Sequence, residues 1–542
     1  MRPMASRGHL LLTSVLGLSG LLAACRGGSA DLPAATLAVP EEEQPSDLAP
    51  APPSSHVSAD GPRLYARALE TRVLERPDPR ARVLGYVRLG QSVPRSVAPV
   101  LGVSCDAGWY EVLPHGYVCL DAGATLDPKD SVLRAVGGTR PDLSKPMPYL
   151  YGFVRRDATL WHMIPDHKLM DKWEYAFQGH LKEYKKHHAE WNRLHAAGAN
   201  EVPLDEQGNA KMLPREVPPV PPPLDEEHLF PDLGDGNIPW WLDGQRKIPN
   251  LSSYVAPDGS TVRGKVFRHA GLAVLGSFRA GKESDHRKFT VLLDGRLIGE
   301  DKIKPHIASP FHGIALDGSL TFPFAMVRRR DAGYFDRAGS TVGRPTYGDI
   351  IPLNGKILPR DQRFFFETLD RRWLREDEVA VFDTPPPPTS FDWKHTKWID
   401  VSITFQSLVL YDGERPVYAT LVSTGVDGAG DPKTTRSTIQ GEFRIDYKHV
   451  TTTMDADDAN ETGSHFELRD VPWVQYFEGG YALHAAYWHD DFGRPRSHGC
   501  VNMSPVDARR VFLWTDPPLP EGWHAVKAGH TMGAGTWVRV RR

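Results

Sequence analysis

Residues 497–504 read Ser497-His498-Gly499-Cys500-Val501-Asn502-Met503-Ser504, and the reading of the whole chain turns on this stretch. A cysteine directly follows a glycine and lies two residues after a histidine. A second histidine, His484, sits 16 positions upstream, at the end of the alternating run Tyr481-Ala482-Leu483. A free thiol is only a few per cent ionised at neutral pH, so a nucleophilic cysteine needs a base within reach. His498 is held in the same tight turn as the sulfur, whereas His484 comes from a separate strand and can be brought alongside it. His484 is therefore read as the base and His498 as an orienting residue, with Ser497 supporting either by hydrogen bonding. Gly499 permits backbone angles that a side chain forbids. The N–H groups of His498, Gly499 and Cys500 are candidate donors for a developing oxyanion, and a helix starting near Ser504 would turn its positive end toward a thiolate.

The surrounding block, 391–542, reads as mostly β. Trp398–Phe405 alternates as a half-buried strand, Asp412-Gly413 marks a hairpin, and Val417–Thr424 returns. Gly441–Ile445, Trp473–Phe477 and Tyr481–Leu483 supply further strands, and Gly479-Gly480 turns the chain before His484. Pro505 begins a helical pattern that runs to Trp514. His489 lies in the polar loop Trp488–Pro495, which is read as one wall of the site, and Tyr487, Trp488 and Asn502 are candidate substrate contacts. His484, His489, His498 and Cys500 could also be written as a zinc set. The glycine turn and the upstream histidine favour the nucleophile, so no metal or other cofactor is expected.

Farther out the signals weaken. The net charge of −4 carries no basic excess, so nucleic acid is not an expected partner. The 47 prolines and 49 glycines imply many loops and little continuous helix. Residues 127–390 hold an amphipathic helical pattern over 166–197, with an aromatic stripe that includes Trp173 and Phe177. A proline-rich spacer follows at 214–223, and short strands near 371–382 suggest a second barrel-type module. His187, His188 and His195 in the helical pattern lack supporting ligands. Residues 61–126 contain short β-type runs split by Gly and Pro, the pattern of a small barrel. Residues 26–60 are rich in Pro, Ala and Ser and read as a disordered tether. Arg2 and Arg7 precede the apolar run Leu10–Leu22, too short to span a bilayer comfortably and typical of an export signal over 1–25.

Three resemblances refine this picture. Leu22-Ala23-Ala24-Cys25 resembles the bacterial lipobox, which implies lipidation of Cys25, a membrane partner through that anchor, and a periplasm-facing place in the cell envelope. Arg26, where an aspartate would favour retention, points to the outer membrane. With Cys25 so assigned, Cys105 and Cys119 can pair in an oxidising compartment, and Cys500 is left over as the reactive thiol. Gly108-Trp109-Tyr110-Glu111-Val112 with Gly116-Tyr117-Val118 resembles bacterial Src-homology-3-like domains, which implies either peptidoglycan binding by exposed aromatics or a spacer.

His484 followed by Ser497-His498-Gly499-Cys500-Val501-Asn502 resembles the signature of L,D-transpeptidases of the YkuD type. The resemblance extends to Gln406 and Leu408, Val422–Gly425 and Gly441–Ile445. It implies a β-sandwich-like catalytic domain and an attack by Cys500 on the diaminopimelate–D-Ala amide of a peptidoglycan stem peptide. An amine acceptor would then take the acyl group. Two departures stand out: Ala485 follows the histidine, and Ser437-Thr438-Ile439-Gln440 replaces a Thr-Pro pair before the Gly-x-Phe segment. The same dyad could serve a hydrolase, and a non-catalytic wall-binding lipoprotein is the alternative from another class.

Overall fold

The computed structural model describes residues 57–136, 140–174, 177–179, 182, 230–245, 262–306, 308–455 and 467–542. Cys25 and the export signal, nearly all of the tether, the spacer 214–223 and most of the 166–197 pattern lie outside these residues.

The C-terminal part is two β layers around one apolar core. The first layer is a six-stranded sheet in the order Ile314–Ala315, Arg415–Leu421, Ser407–Asp412, Lys397–Ser402, Trp537–Arg541, Gly441–Arg444. The second contains Tyr447–Asp455, Glu467–Glu478, Tyr481–Ala485 and Val501–Met503, backed by the helix Pro505–Trp514. Ile399, Val401, Leu408 and Leu410 of one layer meet Trp473, Leu483 and Val501 of the other, with Val511 and Phe512 of the helix. The hairpin at Asp412-Gly413 turns with Gly413 at φ 62°, a region that costs glycine nothing. The helix starts where Ser504 Oγ accepts from Asp507 N (3.0 Å), with Pro505 in its first turn. Its C-terminal end is held by buried Lys448, whose Nζ donates to the carbonyls of Phe512, Thr515 and Pro517.

The strand Lys397–Ser402 departs from the half-buried expectation, because both of its faces are covered. Trp398 packs at 4.2 Å on Tyr411 in a second core shared with Phe324, Phe382 and Phe492. Asp400 on the same strand is neutralised by Arg539 and Arg541. The cover comes from residues 311–327 and 379–391, which belong to the segment whose role the sequence leaves open. Strands within 324–382 form an open seven-stranded sheet whose path ends at Thr341–Gly343 and Val379–Phe382, rather than a closed second barrel.

The expected long helix also differs. Helix His167–Trp173, capped by Asp166 Oδ1 on Leu169 N, stops at Glu174, where the backbone turns extended. The Glu174 carboxylate is drawn into the interior by two hydrogen bonds from Arg287, which also binds Asp301. Trp173, assigned to the apolar stripe, is 44 % exposed, while Met170 and Phe177 are buried. A tertiary ion cluster thus interrupts the helical period at Glu174, and helical backbone resumes at 177–179. Around it, strands from 150 to 305 continue the second layer as one sheet, in which Gly271–Arg279 pairs in parallel with Glu467–Glu478 at Leu468.

The first module, 63–125, contains seven short strands, and a disulfide joins Cys105 to Cys119. Its aromatics are core, not a binding face: Trp109, Tyr110, Tyr117 and Tyr86 are all buried. The module is also not a separate bead. Its strand Val83–Val87 pairs antiparallel with Ala525–Lys527, and Trp523 fills its apolar centre while donating Nε1–H to Leu113 O (2.8 Å). Gly85 is required at this seam, because a Cβ there would lie 2.1 Å from the Ala525 carbonyl. Replacing Trp523 by Ala should therefore destabilise both modules together, by about 3–5 kcal/mol. Urea unfolding followed by barrel and catalytic-domain probes should show coincident transitions; separate transitions would mean the modules are not coupled through this side chain.

Candidate active site

Two neighbouring strands build the site. Tyr481–Ala485 and Val501–Met503 run parallel, with Leu483 opposite Val501, His484 opposite Asn502 and Ala485 opposite Met503. Cys500 immediately precedes the second strand, so the pairing brings it within two register positions of His484. Gly499 adopts φ 132°, and a Cβ there would meet the Tyr481 ring at 2.8 Å, so this position needs glycine on two counts. Ser497 closes the turn: its Oγ donates to the Cys500 carbonyl (2.5 Å) and accepts from Gly499 N (3.1 Å). The Gly499 N–H is thus committed to Ser497, and the donors for an oxyanion must come from the rest of the turn.

The turn is braced from behind by residues the motif does not include. Thr424 O accepts from the amides of Arg496 and Ser497, at 2.8 and 3.0 Å. Thr424 is in turn clamped by Gln406, which donates Nε2–H to Thr424 Oγ1 (2.6 Å) and accepts Thr424 N–H at Oε1 (2.8 Å). Gln406 sits at φ 54°, a strained position for a side-chain-bearing residue that these buried bonds maintain.

Cys500 is half-buried and is the one free cysteine among the described residues. Its Sγ–H faces the Gly480 carbonyl at 3.7 Å. Burial pushes the thiol up to about 11, against a backbone N–H from Ala482 that favours the thiolate. The expected help from the helix is not seen. The helix begins at Pro505, and the strand Val501–Met503 separates it from Cys500. Its first turn holds the buried Asp507 carboxylate, which accepts from Gly313 N, Tyr418 Oη and Thr420 Oγ1.

His484 is buried, and its Nδ1 lies 3.1 Å from the Ala485 carbonyl. A carbonyl can only accept, so Nδ1 carries the proton and Nε2 keeps a lone pair. Burial holds the imidazole down, to about 4, with the Ala485 bond opposing. Cysteine and histidine therefore rest as a neutral pair, not as a thiolate–imidazolium pair.

The remaining candidates separate. His498 is exposed at the surface of the turn, away from the buried position that His484 occupies. Trp488 is half-buried with its ring 5.7 Å from His484, forming a wall. Tyr487 is no substrate contact: it is fully buried behind the site, against Tyr151 and Phe153 from the 150–154 strand. Asn502 is buried too, and its amide lies 3.4 Å from His489 Nε2, so it supports the wall rather than facing outward. Among the described residues, no three His, Cys, Asp or Glu side chains converge as metal ligands. Tyr481 reads in the sequence only as a strand residue, yet it flanks the Gly499–Cys500 turn; a half-buried aromatic on the histidine's own strand is the signal for it.

The segment that holds this site has a counterpart among known protein families. Residues 396–540 match the family model of the YkuD L,D-transpeptidase catalytic domain. No curated protein matches the chain. Solved structures similar to it include the L,D-transpeptidase (residues 123–326) of Xylanimonas cellulosilytica, at 22 % identity, covering 29 % of this chain and 64 % of that one, with a TM-score of 0.19. The L,D-transpeptidase of Stackebrandtia nassauensis is 24 % identical over 27 % of this chain and 56 % of its own, with a TM-score of 0.18. That of Mycobacterium smegmatis is 16 % identical over 44 % and 90 %, with a TM-score of 0.21. The chain thus spans less than two thirds of the length of the first two structures it matches.

The raised thiol gives a direct test. At pH 8 only about one Cys500 in a thousand should be thiolate. Iodoacetamide labelling of the Cys500 peptide, followed by mass spectrometry, should accelerate about tenfold per pH unit through pH 10. A plateau near pH 8.5 would show that the site stabilises the thiolate instead.

Proposed function

We propose that this protein is a peptidoglycan L,D-transpeptidase. The observation that carries the reading is the register that sets buried, Nδ1-protonated His484 beside Cys500 in the segment that matches the transpeptidase domain. In the first half-reaction the Cys500 sulfur attacks the carbonyl of the diaminopimelate–D-Ala amide while its proton passes to His484 Nε2. The C–N bond breaks, D-Ala leaves with that proton on its amine, and a thioester remains on Cys500. In the second, an acceptor amine attacks the thioester, His484 takes the amine's proton and returns it to the departing sulfur, and a new amide forms. The neutral resting pair suits this sequence, because His484 must begin each half-reaction with a free lone pair. The lipid anchor on Cys25 and an outer-membrane location belong to the same reading, since they would place the site at the wall.

Incubation with disaccharide-tetrapeptide muropeptides tests the proposal. Cross-linked dimers and free D-Ala are expected from the native chain. Cys500→Ala should abolish both, and His484→Gln should lower the rate by about 10²–10⁴-fold. Shortened monomers without dimers would reassign the protein as a hydrolase using the same pair, and unchanged muropeptides would leave a wall-binding protein.

A further inference from the structure

Between the histidine strand and the nucleophile turn the chain runs through Trp488-His489-Asp490-Asp491-Phe492-Gly493-Arg494-Pro495-Arg496, where Phe492 is the one phenyl ring among polar neighbours. A phenyl group in so short a polar loop cannot bury itself, yet Phe492 is fully buried. Its cover comes from 311–347, a segment outside the residues 396–540 that match the transpeptidase domain. Phe311 stacks on Phe492 with 5.7 Å between ring centroids, and Tyr347 packs on Phe311 at 5.4 Å. Tyr347 also donates its Oη–H to the Phe492 carbonyl (3.0 Å).

The same segment meets the loop at two further points. Arg330 lies over the Tyr347 ring at 4.7 Å and donates to the Asp490 carboxylate at 2.9 Å. Gly493, at φ 94°, lets the loop pass so close that a Cβ there would lie 2.4 Å from Arg328 Cβ. Phe492 in turn touches the site. Its ring is 4.7 Å from that of His489. His489 Nδ1 accepts from Asp491 N, and its Nε2 lies 3.4 Å from the amide of Asn502, the residue opposite His484 in register. Contacts thus run unbroken from Tyr347 through Phe492 and His489 to Asn502.

We propose that Tyr347 is a positioning residue of the active site: it fixes the wall loop at Phe492, and through Phe492 holds His489 against Asn502 beside His484. The hydroxyl is the part of the side chain that does this. Burial pushes it well above the ordinary tyrosine range, so it stays protonated and donates at any working pH. Its removal takes that donor from the Phe492 carbonyl while leaving the ring stack in place. The Arg330–Asp490 pair is exposed on both sides and adds little. The grip on the loop needs no assumption about the substrate; its effect on acylation rests on the transpeptidase reading.

The test compares the full chain with Tyr347→Phe and, as a control, Tyr411→Phe. Tyr411 belongs to the same aromatic core, and its buried hydroxyl has no hydrogen-bond partner among the described residues. Amide exchange read by mass spectrometry should quicken about threefold to tenfold over 488–497 in Tyr347→Phe. In the native chain the Gly493, Arg496 and Ser497 amides there are held by the Val422 and Thr424 carbonyls. The kcat/KM for acylation of Cys500 by a disaccharide-tetrapeptide should fall by about the same factor. Alkylation of Cys500 by iodoacetamide should not change, because a small reagent needs only the sulfur, which faces Gly480. Tyr411→Phe should match the native chain in all three. Unchanged exchange over 488–497 in Tyr347→Phe, or an equal change in Tyr411→Phe, overturns the proposal. So does a fall in alkylation equal to the fall in acylation, which would mark a general loss of structure. A native chain that the peptide does not acylate would refute the transpeptidase reading instead; the exchange comparison uses no peptide and still decides the proposal.

Discussion

The parallel pairing of Tyr481–Ala485 with Val501–Met503 is the constraint on which the site depends. The two strands are short, and neither alone places a side chain where chemistry can occur. Paired in this register, they set the cysteine at the end of a turn within two register positions of a histidine on the neighbouring strand. Both groups are then under enough protein to lose their charged forms. A slip of one residue would turn His484 to the opposite face of the layer. Much of the surrounding structure serves to prevent that slip. The bridge between Ser423 and Asn502 ties the cysteine strand to the first layer, the Gln406–Thr424 clamp holds the turn, and Ser497 fixes the cysteine's own carbonyl.

The modules outside the catalytic layers act on the same constraint from a distance. Residues 150–154 and 271–279 extend the histidine-bearing layer and bury Tyr487 behind it. The first module continues that layer at its other end through Ala525–Lys527. Between them, buried Arg88 of the first module pairs with Asp470 and reaches Thr451 on two strands of the catalytic layer. A charge pair this deep is costly to break once formed, because either partner alone would be left unpaired in the interior. The catalytic layer is therefore a segment of a longer continuous sheet, and its rigidity is shared along that sheet.

The local features of the site were legible in the sequence. Gly499-Cys500, the strand ending at His484, the Asp412-Gly413 hairpin and the Ser504-Pro505 helix start each depend on a few adjacent residues with strong conformational preferences. His484 is buried in its strand and His498 is exposed on the turn. What depends on remote cover was not legible. The strand at Trp398 alternates in sequence, yet its outer face lies under aromatic residues of the segment 311–391. Tyr487 follows the histidine closely, yet the strand at Tyr151 buries it away from the site. Trp109 sits in an aromatic motif that suggests a binding face, yet it packs as core. The thiol's tendency to stay protonated had the same origin, since a helix start can be read from Ser504 and Pro505 but the burial of Asp507 and the depth of Cys500 cannot.

The central claim is that Cys500, resting neutral beside neutral His484, becomes acylated by a stem peptide. Intact-mass analysis of the protein mixed with a disaccharide-tetrapeptide, quenched in acid within the first turnovers, tests it most directly. The account predicts a mass gain equal to the donor less D-Ala, mapped to the Cys500 peptide and absent from Cys500→Ala. An unmodified Cys500 in a preparation that still produces dimers or shortened peptides would contradict it.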